Sequence, residues 1–193
     1  PGPEYYDQLY RDEDGDWRST YIMSLGIGQG ELELTTLQMA NLAAIIANRG
    51  FYYPPHLVKE IQSREMDVDA FYKTRQYVGI DSIHFPRVIN GMHRTITQGT
   101  GRKAYVRDLD ICGKTGTSEN PHGDDHSVFF AFAPKDNPRI ALAVYVENAG
   151  FGGDIAAPIA GLVLEKHLKK DISRPLLEER IKNINLIGKE DEL

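Results

Sequence analysis

The sequence predicts an α+β fold in which helices cover both faces of an antiparallel sheet. Three strand-like runs follow one another closely, over residues 111–117, 127–133 and 139–147. The last two are apolar on both faces, whereas a half-exposed antiparallel strand would alternate apolar and polar residues. Helical patterns stand before and after these runs in the chain, and we expect those helices to supply the cover.

The helices are indicated by their spacing and their end signals. Thr35 and Gln38 fit the pattern of a capping box, and Gly50 fits a C-terminal stop for the first helix. Pro86 suits an early position in the second helix. Helices are expected over 35–50, 82–101, 155–170 and, for a short stretch, 175–182.

The remaining segments are predicted as strand, loop and turn. The first 17 residues are polar and acidic and are expected to form a loop. Residues 56–62 follow two prolines and predict a short strand, after which a polar connector runs to about Gly79. The run PKDNP at 134–138 predicts a hairpin turn, because proline, Asp and Asn favour turn conformations.

Composition excludes several classes of protein. The net charge is −6, and no basic stripe is present, so we expect no nucleic-acid partner. The longest clean apolar run, LAAIIA at 42–47, is far shorter than the roughly 18 residues of a membrane span. Cys112 is the only cysteine, so no internal disulfide can form, and its apolar strand predicts a small buried residue.

The stretch ICGKTGTSENPHGDDHSVFFAFAP, residues 111–134, contains the most informative motif. Its GKT triplet resembles the end of a phosphate-binding loop. That loop needs a glycine five residues before Gly113, where this chain has Asp108, and it leads into a helix rather than a strand. A carboxylate at this position would repel phosphate, and the motif is therefore rejected as a phosphate site.

The same stretch offers a second candidate, a metal site. His122 and His126 are four residues apart, which suits two zinc ligands on a helix. Pro121 and Gly123 disfavour a helix there, so a polar hairpin loop is the preferred interpretation. We expect no bound metal and no cofactor.

The third candidate is a covalent acyl-transfer site, because Lys-Thr-Gly on a strand is one motif of the serine penicillin-recognising enzymes. Lys114 offers a positive charge to a substrate carboxylate, and Thr115 and Thr117 share one strand face from which both hydroxyls can donate. Gly116 permits close approach of a substrate backbone along the strand edge. Ser118, at the end of this edge, is also expected to bind substrate. The N–H of Thr117 is the expected oxyanion-hole donor.

Longer stretches carry a resemblance to a known family, the class B penicillin-binding proteins. CGKTGTSENPHGDDHSVFFAFAP resembles their third motif and following strand, and LGIGQGELELTTLQMANLAAIIANRGFYYPPHLVKEI is similar to the segment before it. TQGTGRKA and ENAGFGGDIAAPIAGLVLE resemble the loop before that motif and the closing strand and helix. The resemblance covers residues 1–170 and implies part of a transpeptidase/β-lactamase-like fold.

What the resemblance implies for function is peptidoglycan D,D-transpeptidation through a serine acyl-enzyme that penicillin traps. The family's nucleophile lies in Ser-x-x-Lys, and none of the seven serines here has a lysine three residues later. We therefore expect residues 1–172 to be the C-terminal part of a transpeptidase domain, 173–193 to be a polar tail, and this chain alone to be inactive.

The resemblance also implies surroundings and partners. We expect a periplasmic location in a parent protein anchored to the inner membrane by a segment outside this chain. Stem peptides and β-lactams are the expected ligands, with Lys114 as the catalytic-site residue. Self-association through strand 139–147 is also expected. Two alternatives stay open: a D,D-carboxypeptidase or β-lactamase-like hydrolase, and a non-catalytic module that binds peptidoglycan or a partner protein.

Overall fold

The computed structural model describes residues 2–11, 17–62 and 67–186. The chain divides into two compact units, Pro1–Thr35 and Thr36–Leu193. Among the described residues, no helix has the length and apolarity that crossing a bilayer requires. The mixture of helices with one antiparallel three-stranded sheet confirms the expected α+β class.

The first unit contains two helices, α1 (Pro3–Leu9) and α2 (Ser19–Gly26). The loop expected over the first 17 residues is therefore wrong at α1, while residues 12–16 lie outside the described part. Pro3 occupies a favoured first helical position, and Glu4 places negative charge in the first turn. The expectation of a loop is based on the polar composition of the segment, and composition does not detect a proline or a glutamate at these helical positions.

Tyr6 explains why α1 is stable. Its ring is 1% exposed and lies 5.2 Å from the ring of Trp17, while its hydroxyl donates to Glu31 over 2.8 Å. Burial, together with the hydrogen bond to Glu31, raises the pKa of Tyr6 to about 12. The same hydrogen bond lowers the pKa of Glu31. An aromatic cluster around one carboxylate thus holds this unit together.

The end of the first helix of the second unit agrees with its C-terminal glycine signal. The helix expected over 35–50 is α3 (Thr36–Ala47), with Ala43 and Ala47 buried. Gly50 follows with φ of 108°, a conformation that glycine tolerates and other residues avoid. Its N–H donates to the carbonyl of Ile45 over 2.9 Å, which closes the end of the helix.

The strand expected at 56–62 is wrong. A two-residue strand, β1 (Phe51–Tyr52), instead pairs with β2 (Gln76–Tyr77). Leu57 is fully exposed, so the segment packs against no neighbouring strand at this position. Between β1 and β2, the expected connector contains the short helix α4 (Ala70–Lys73), which is capped by the Asp69 carboxylate.

The second long helix is confirmed, with a shorter extent than expected. It forms as α5 (Phe85–Thr97) after a single 3₁₀ turn at Ser82–His84. Its buried side chains follow helical spacing: Phe85, Ile89, Met92 and Ile96. The helix ends before Gly99, whose backbone is packed so tightly that an added Cβ would lie 2.9 Å from Thr95 Cα.

All three strands of the predicted sheet are present. They are β3 (Cys112–Ser118), β4 (His126–Ala133) and β5 (Ile140–Val146), in the order β3-β4-β5 and antiparallel throughout. The expected turn at 134–138 joins β4 to β5. β4 lies between the other two strands, and most of its side chains are buried.

Helices cover the sheet on both faces, as its composition requires. On one face α6 (Ala156–Lys169) packs its small residues against Phe129, Ala131 and Ala133. On the other face α3 and α5 pack against Cys112, Phe130 and Phe132. Two apolar clusters, one on each side of β4, therefore form the core.

A buried carboxylate fixes the last helix, α7 (Pro175–Lys182), which the sequence predicts at 175–182. Glu165 on α6 is 0% exposed. It accepts hydrogen bonds from the N–H and hydroxyl of Ser173, and Arg174 Nε lies 3.1 Å from its Oε2. Arg174 also donates to the carbonyl of Tyr105 over 2.9 Å. The domain boundary at residue 172 stays a prediction.

Glu165→Ala should lower the free energy of unfolding by about 3–5 kcal/mol, because it leaves the Arg174 guanidinium without its carboxylate in a largely buried place. Chemical denaturation measures the change. Lys182→Ala is the matched control: it breaks an exposed pair with Glu178 on α7 and should cost about 0.5 kcal/mol or less. Equal losses in the two variants would contradict a central role for Glu165.

The stabilisation by Glu165 should also depend on pH. Burial opposes its ionisation, but hydrogen bonds from Ser173 and Arg174 outweigh burial, and the pKa of Glu165 is held below its ordinary value. A carboxyl whose pKa falls on folding stabilises above its unfolded pKa, and that stability is lost as pH falls through the folded pKa. The stability difference between wild type and Glu165→Ala should therefore narrow below about pH 4.3.

Candidate active site

Strand β3 carries every residue that the sequence singles out for the site. Lys114 is exposed, and Thr115, Gly116, Thr117 and Ser118 are half-buried. The Lys114 ammonium group folds back along the strand and donates to the carbonyl of Thr115 over 2.7 Å. β4 pairs with one side of β3, and no strand of the described residues pairs with the other side.

The register assigns these side chains to two different faces. Thr115 and Thr117 pair with Phe129 and Ser127, so their side chains point to the face that α6 covers. Lys114 pairs with Phe130 and points to the face of α3 and α5. The structure thus brings the two threonines together as expected but leaves the Lys114 side chain on the opposite face.

Each threonine hydroxyl has a partner from outside the strand. The Thr115 hydroxyl oxygen lies 2.7 Å from that of Thr100, in the loop after α5. The Thr117 hydroxyl faces the N–H of Gly152 at 3.5 Å, in the loop before α6. Two loops that are distant in sequence therefore orient the pair of hydroxyls on β3.

The loop before α6 approaches the sheet through glycine and a buried serine. A Cβ added at Gly152 would lie 2.1 Å from the carbonyl oxygen of Gly116, so no side chain fits there. Ser127 is 0% exposed; its hydroxyl donates to the Phe151 carbonyl and accepts from the Ala156 N–H, each over 3.0 Å. Ser127 fixes both ends of the segment that contains Gly152.

The two glycines of β3 differ in what they do for the fold. A Cβ at Gly113 would lie 2.5 Å from the ring of Phe129, which is fully buried. A Cβ at Gly116 would lie 3.4 Å from Val128 Cβ, an ordinary contact. Packing within the described residues therefore explains glycine at 113 and does not explain it at 116.

The loop between β3 and β4 is held by polar contacts with the segment that follows β5. Asn120 donates to the Asn148 side chain over 2.7 Å, and the Asn148 N–H donates to His126 Nδ1 over 3.1 Å. Across the described ranges, no group of three or more His, Cys, Asp or Glu side chains is placed to hold a metal. The absence of a bound metal stays a prediction, and so does that of a cofactor.

Cys112 at the start of β3 is fully buried, as expected for a small apolar residue. Burial raises the pKa of its thiol to about 12, so the thiolate that would be needed for nucleophilic chemistry is scarce at neutral pH. Cys112 belongs to the core rather than to the site.

Sequence reasoning missed Thr100, Ser127 and Gly152 as site-shaping residues. Thr100 and Gly152 lie in the stretches TQGTGRKA and ENAGFGGD, which carried the family resemblance but gave no signal of contact with β3. Ser127 was visible only as a polar residue in an apolar strand. That oddity, a hydroxyl in a strand buried on both faces, is the signal that could have found it.

Comparison with known proteins defines the class. The family model "Penicillin binding protein transpeptidase domain" matches residues 8–165. Peptidoglycan D,D-transpeptidase MrdA of Haemophilus influenzae is 33% identical over 178 residues, which cover 80% of this chain and 27% of that protein. MrdA of Acinetobacter baumannii is 31% identical over 195 residues, which cover 91% of this chain and 28% of that protein.

Solved structures agree with this class. The crystal structure of Pseudomonas aeruginosa PBP2 in complex with WCK 5153 matches with a TM-score of 0.68 and 33% identity, over 87% of this chain and 36% of that one. Penicillin-binding protein A from M. tuberculosis, as its penicillin G acyl-enzyme complex, matches with a TM-score of 0.62 and 30% identity, over 75% of this chain and 34% of that one.

This chain belongs to the penicillin-binding protein transpeptidase family. Its relatives include proteins named MrdA and PBP2, which agrees with the resemblance to class B enzymes and relates the chain to penicillin-binding protein 2. The chain spans 27% of the length of the Haemophilus relative, so it represents part of such a protein.

Substitution of the two β3 glycines should show that internal packing requires glycine at position 113 and does not require it at position 116. Gly113→Ala should destabilise the fold by about 1–3 kcal/mol, because the new methyl group overlaps the buried Phe129 ring. Gly116→Ala has room for its methyl group, and its stability should stay within about 0.5 kcal/mol of wild type. Thermal or denaturant unfolding of both variants tests this, and a larger loss at Gly116 than at Gly113 would contradict it.

Proposed function

We propose that this chain provides one wall of the active site of a peptidoglycan D,D-transpeptidase. The observation that carries the proposal is the pair Thr115 and Thr117, whose hydroxyls lie on one face of an open-edged strand and are oriented by Thr100 and Gly152. Family membership supplies the reaction class, because the relatives are named peptidoglycan D,D-transpeptidases.

Recognition of the substrate starts from its terminal carboxylate. The hydroxyls of Thr115 and Thr117 donate to this anion, and the flexible Lys114 side chain brings its positive charge toward it over the strand edge. In the absence of substrate the Lys114 ammonium group has a carbonyl partner, which it can exchange for an anion. Ser118 extends the same binding edge.

The peptide lies along β3 as an added strand. The free side of β3 offers backbone donors and acceptors, and main-chain hydrogen bonds of this kind give affinity without demanding a particular side chain. Gly116 allows the substrate backbone to approach, which accounts for a glycine that internal packing does not require. The N–H of Thr117 is one donor to the oxyanion that forms at the scissile carbonyl.

The covalent steps use a serine outside this chain. Its hydroxyl attacks the carbonyl of the penultimate D-alanine, the terminal D-alanine leaves, and an ester joins peptide to enzyme. An amine of a second stem peptide then attacks the ester and frees the serine. A β-lactam carries a carboxylate and a reactive carbonyl at similar spacing, so it occupies the same wall and acylates the same serine.

This reaction implies a place in the cell and a set of partners. Cross-linking substrates are found outside the inner membrane, so we place the active site on its periplasmic side, in a longer protein held by a membrane anchor. Stem peptides are the partners, and β-lactams are the inhibitors. Residues 1–172 are then the C-terminal part of the transpeptidase domain, and 173–193 are its polar tail.

In a longer protein that contains the serine motif, Lys114→Ala should slow acylation by penicillin about 10- to 100-fold, because one charged contact to the carboxylate is lost. Labelling kinetics with a fluorescent penicillin measure the rate. Lys59→Ala, which removes an exposed lysine away from β3, is the matched control and should leave the rate unchanged. Labelling of Lys114→Ala at the wild-type rate would remove Lys114 from the site.

The 193-residue chain by itself should form no covalent adduct with penicillin, since none of its seven serines stands three residues before a lysine. Intact-mass analysis after incubation with benzylpenicillin tests this, with the longer protein as the positive control. A stoichiometric adduct on the 193-residue chain would show that it contains its own nucleophile, contrary to the proposal.

A further inference from the structure

A single peptide group in the loop before α6 connects a buried serine to a threonine of the candidate site. Thr117 on β3 and Ser127 on β4 are directly opposite each other, so their side chains share one face of the sheet. Both hydroxyls reach the peptide group that joins Phe151 to Gly152. The Ser127 hydroxyl donates to its carbonyl over 3.0 Å, and its N–H donates to the Thr117 hydroxyl over 3.5 Å.

The Phe151–Gly152 peptide group transmits orientation from one end to the other because a peptide group is planar. This peptide bond is trans, so its C=O and its N–H point in opposite directions. A hydrogen bond of 3.5 Å is long, and its alignment depends on what else holds the donor. By holding the carbonyl, Ser127 therefore aims the N–H at Thr117.

Ser127 is what attaches this loop to the sheet. The Phe151 carbonyl also accepts from the N–H of Asp154 over 2.8 Å, but Asp154 belongs to the same turn and moves with it. Ser127 lies on the central strand β4 and is fully buried. Its hydroxyl also accepts from the N–H of Ala156, the first residue of α6. The turn and the start of the helix are thus fixed to one side chain of the core.

The backbone of this loop does not fix the orientation of the peptide group by itself. The loop contains glycine at positions 150, 152 and 153, and glycine accepts many backbone conformations. Close packing explains Gly152, since an added Cβ would lie 2.1 Å from the Gly116 carbonyl oxygen. That contact determines where the peptide group lies, and the hydrogen bond from Ser127 determines which way it faces.

The orientation of the peptide group decides what the Thr117 hydroxyl can do. An N–H can only donate, so Thr117 is the acceptor in its contact with Gly152. A hydroxyl has one proton and two lone pairs, and in this arrangement its proton stays available for an anion. A peptide group turned over would present its carbonyl to Thr117. That carbonyl would take the proton and repel a carboxylate.

We propose that Ser127 is a positioning residue for carboxylate recognition. It holds the Phe151 carbonyl, which keeps the N–H of Gly152 on Thr117 and keeps the Thr117 hydroxyl a donor to the substrate carboxylate. The inference rests on the proposed function for the identity of the anion, the carboxylate of a stem peptide or a β-lactam. The arrangement of hydrogen bonds can be tested separately from that function.

Amide hydrogen exchange, followed by NMR on the 193-residue chain, tests the arrangement. Ser127→Ala and Thr117→Val each remove one hydroxyl, and each should speed exchange of the Gly152 N–H about tenfold or more relative to the β4 amides. Cys112→Ala removes one buried atom outside the site and should affect both sets of amides alike. If exchange at Gly152 changes only as much as exchange in β4 in Ser127→Ala, the proposal is wrong, whatever the activity of the protein.

Acylation by penicillin, in a longer protein that contains the serine motif, tests the consequence for the site. Thr117→Val keeps the backbone N–H and should lower the second-order rate constant about 10- to 100-fold, and Ser127→Ala should lower it about three- to tenfold. Because Ser127 acts through Thr117, adding Ser127→Ala to Thr117→Val should cost less than about a further twofold.

Two outcomes of the acylation experiment contradict different claims. Effects of Ser127→Ala and Thr117→Val that multiply in full would show independent roles and overturn the proposal for Ser127. A wild-type protein that penicillin does not acylate would instead overturn the proposed function, and with it the carboxylate as the anion. The exchange experiment would still decide the arrangement of hydrogen bonds.

Ser127→Cys separates the hydroxyl from the volume of the side chain. A thiol fills the buried place but is a weak donor, so this variant should slow acylation as Ser127→Ala does. Cys112→Ala is again the control and should leave the rate of acylation unchanged. Acylation of Ser127→Cys at the wild-type rate would show that Ser127 acts by filling space, and that result would overturn the proposal.

Discussion

The geometry of the candidate site depends on the packing of the Phe129 ring. It is fully buried on β4, and it leaves no room for a side chain at Gly113 on β3. It also reaches the loop after α5, where a Cβ at Gly101 would lie 3.3 Å from the ring. The Phe129 ring thus limits the room for side chains both on the strand and in the loop that carries Thr100. Thr100, which precedes Gly101 in that loop, has its hydroxyl oxygen 2.7 Å from that of Thr115.

Elements whose signals are local could be predicted from the sequence. Helix α5 is predicted by Pro86 and a regular apolar spacing. Strands β4 and β5 are predicted by apolar runs on either side of a proline-rich turn. The segment at 56–62 has a strand-like composition, but a strand needs a partner, and no strand of the described residues pairs with this segment. Residues 3–9 gave the opposite error, because the aromatic contacts of Tyr6 are not visible in composition.

The candidate site could be predicted only in part. The sequence singles out the β3 residues from Lys114 to Ser118, because motif and alternation are properties of adjacent residues, and the roles of these residues stay predictions. Their partners Thr100 and Gly152 were not found, since a contact across 15 or 35 residues is decided by packing and not by spacing. The candidate site therefore consists of strand β3, which the sequence identifies, and of two loops. The contacts of these loops with β3 are visible only in the folded structure.

Glu165 has a consequence for where this domain can be cut. The boundary suggested by composition falls at residue 172, just before Ser173 and Arg174, which supply the hydrogen bonds to that carboxylate. A recombinant chain that ended at residue 172 would keep all of β3 and both loops around it. It would also leave the Glu165 carboxylate buried without the hydrogen bonds from Ser173 and Arg174. Arg174 also holds the carbonyl of Tyr105, shortly after the loop that carries Thr100. Expression boundaries for crystallisation or inhibitor screening therefore belong beyond α7.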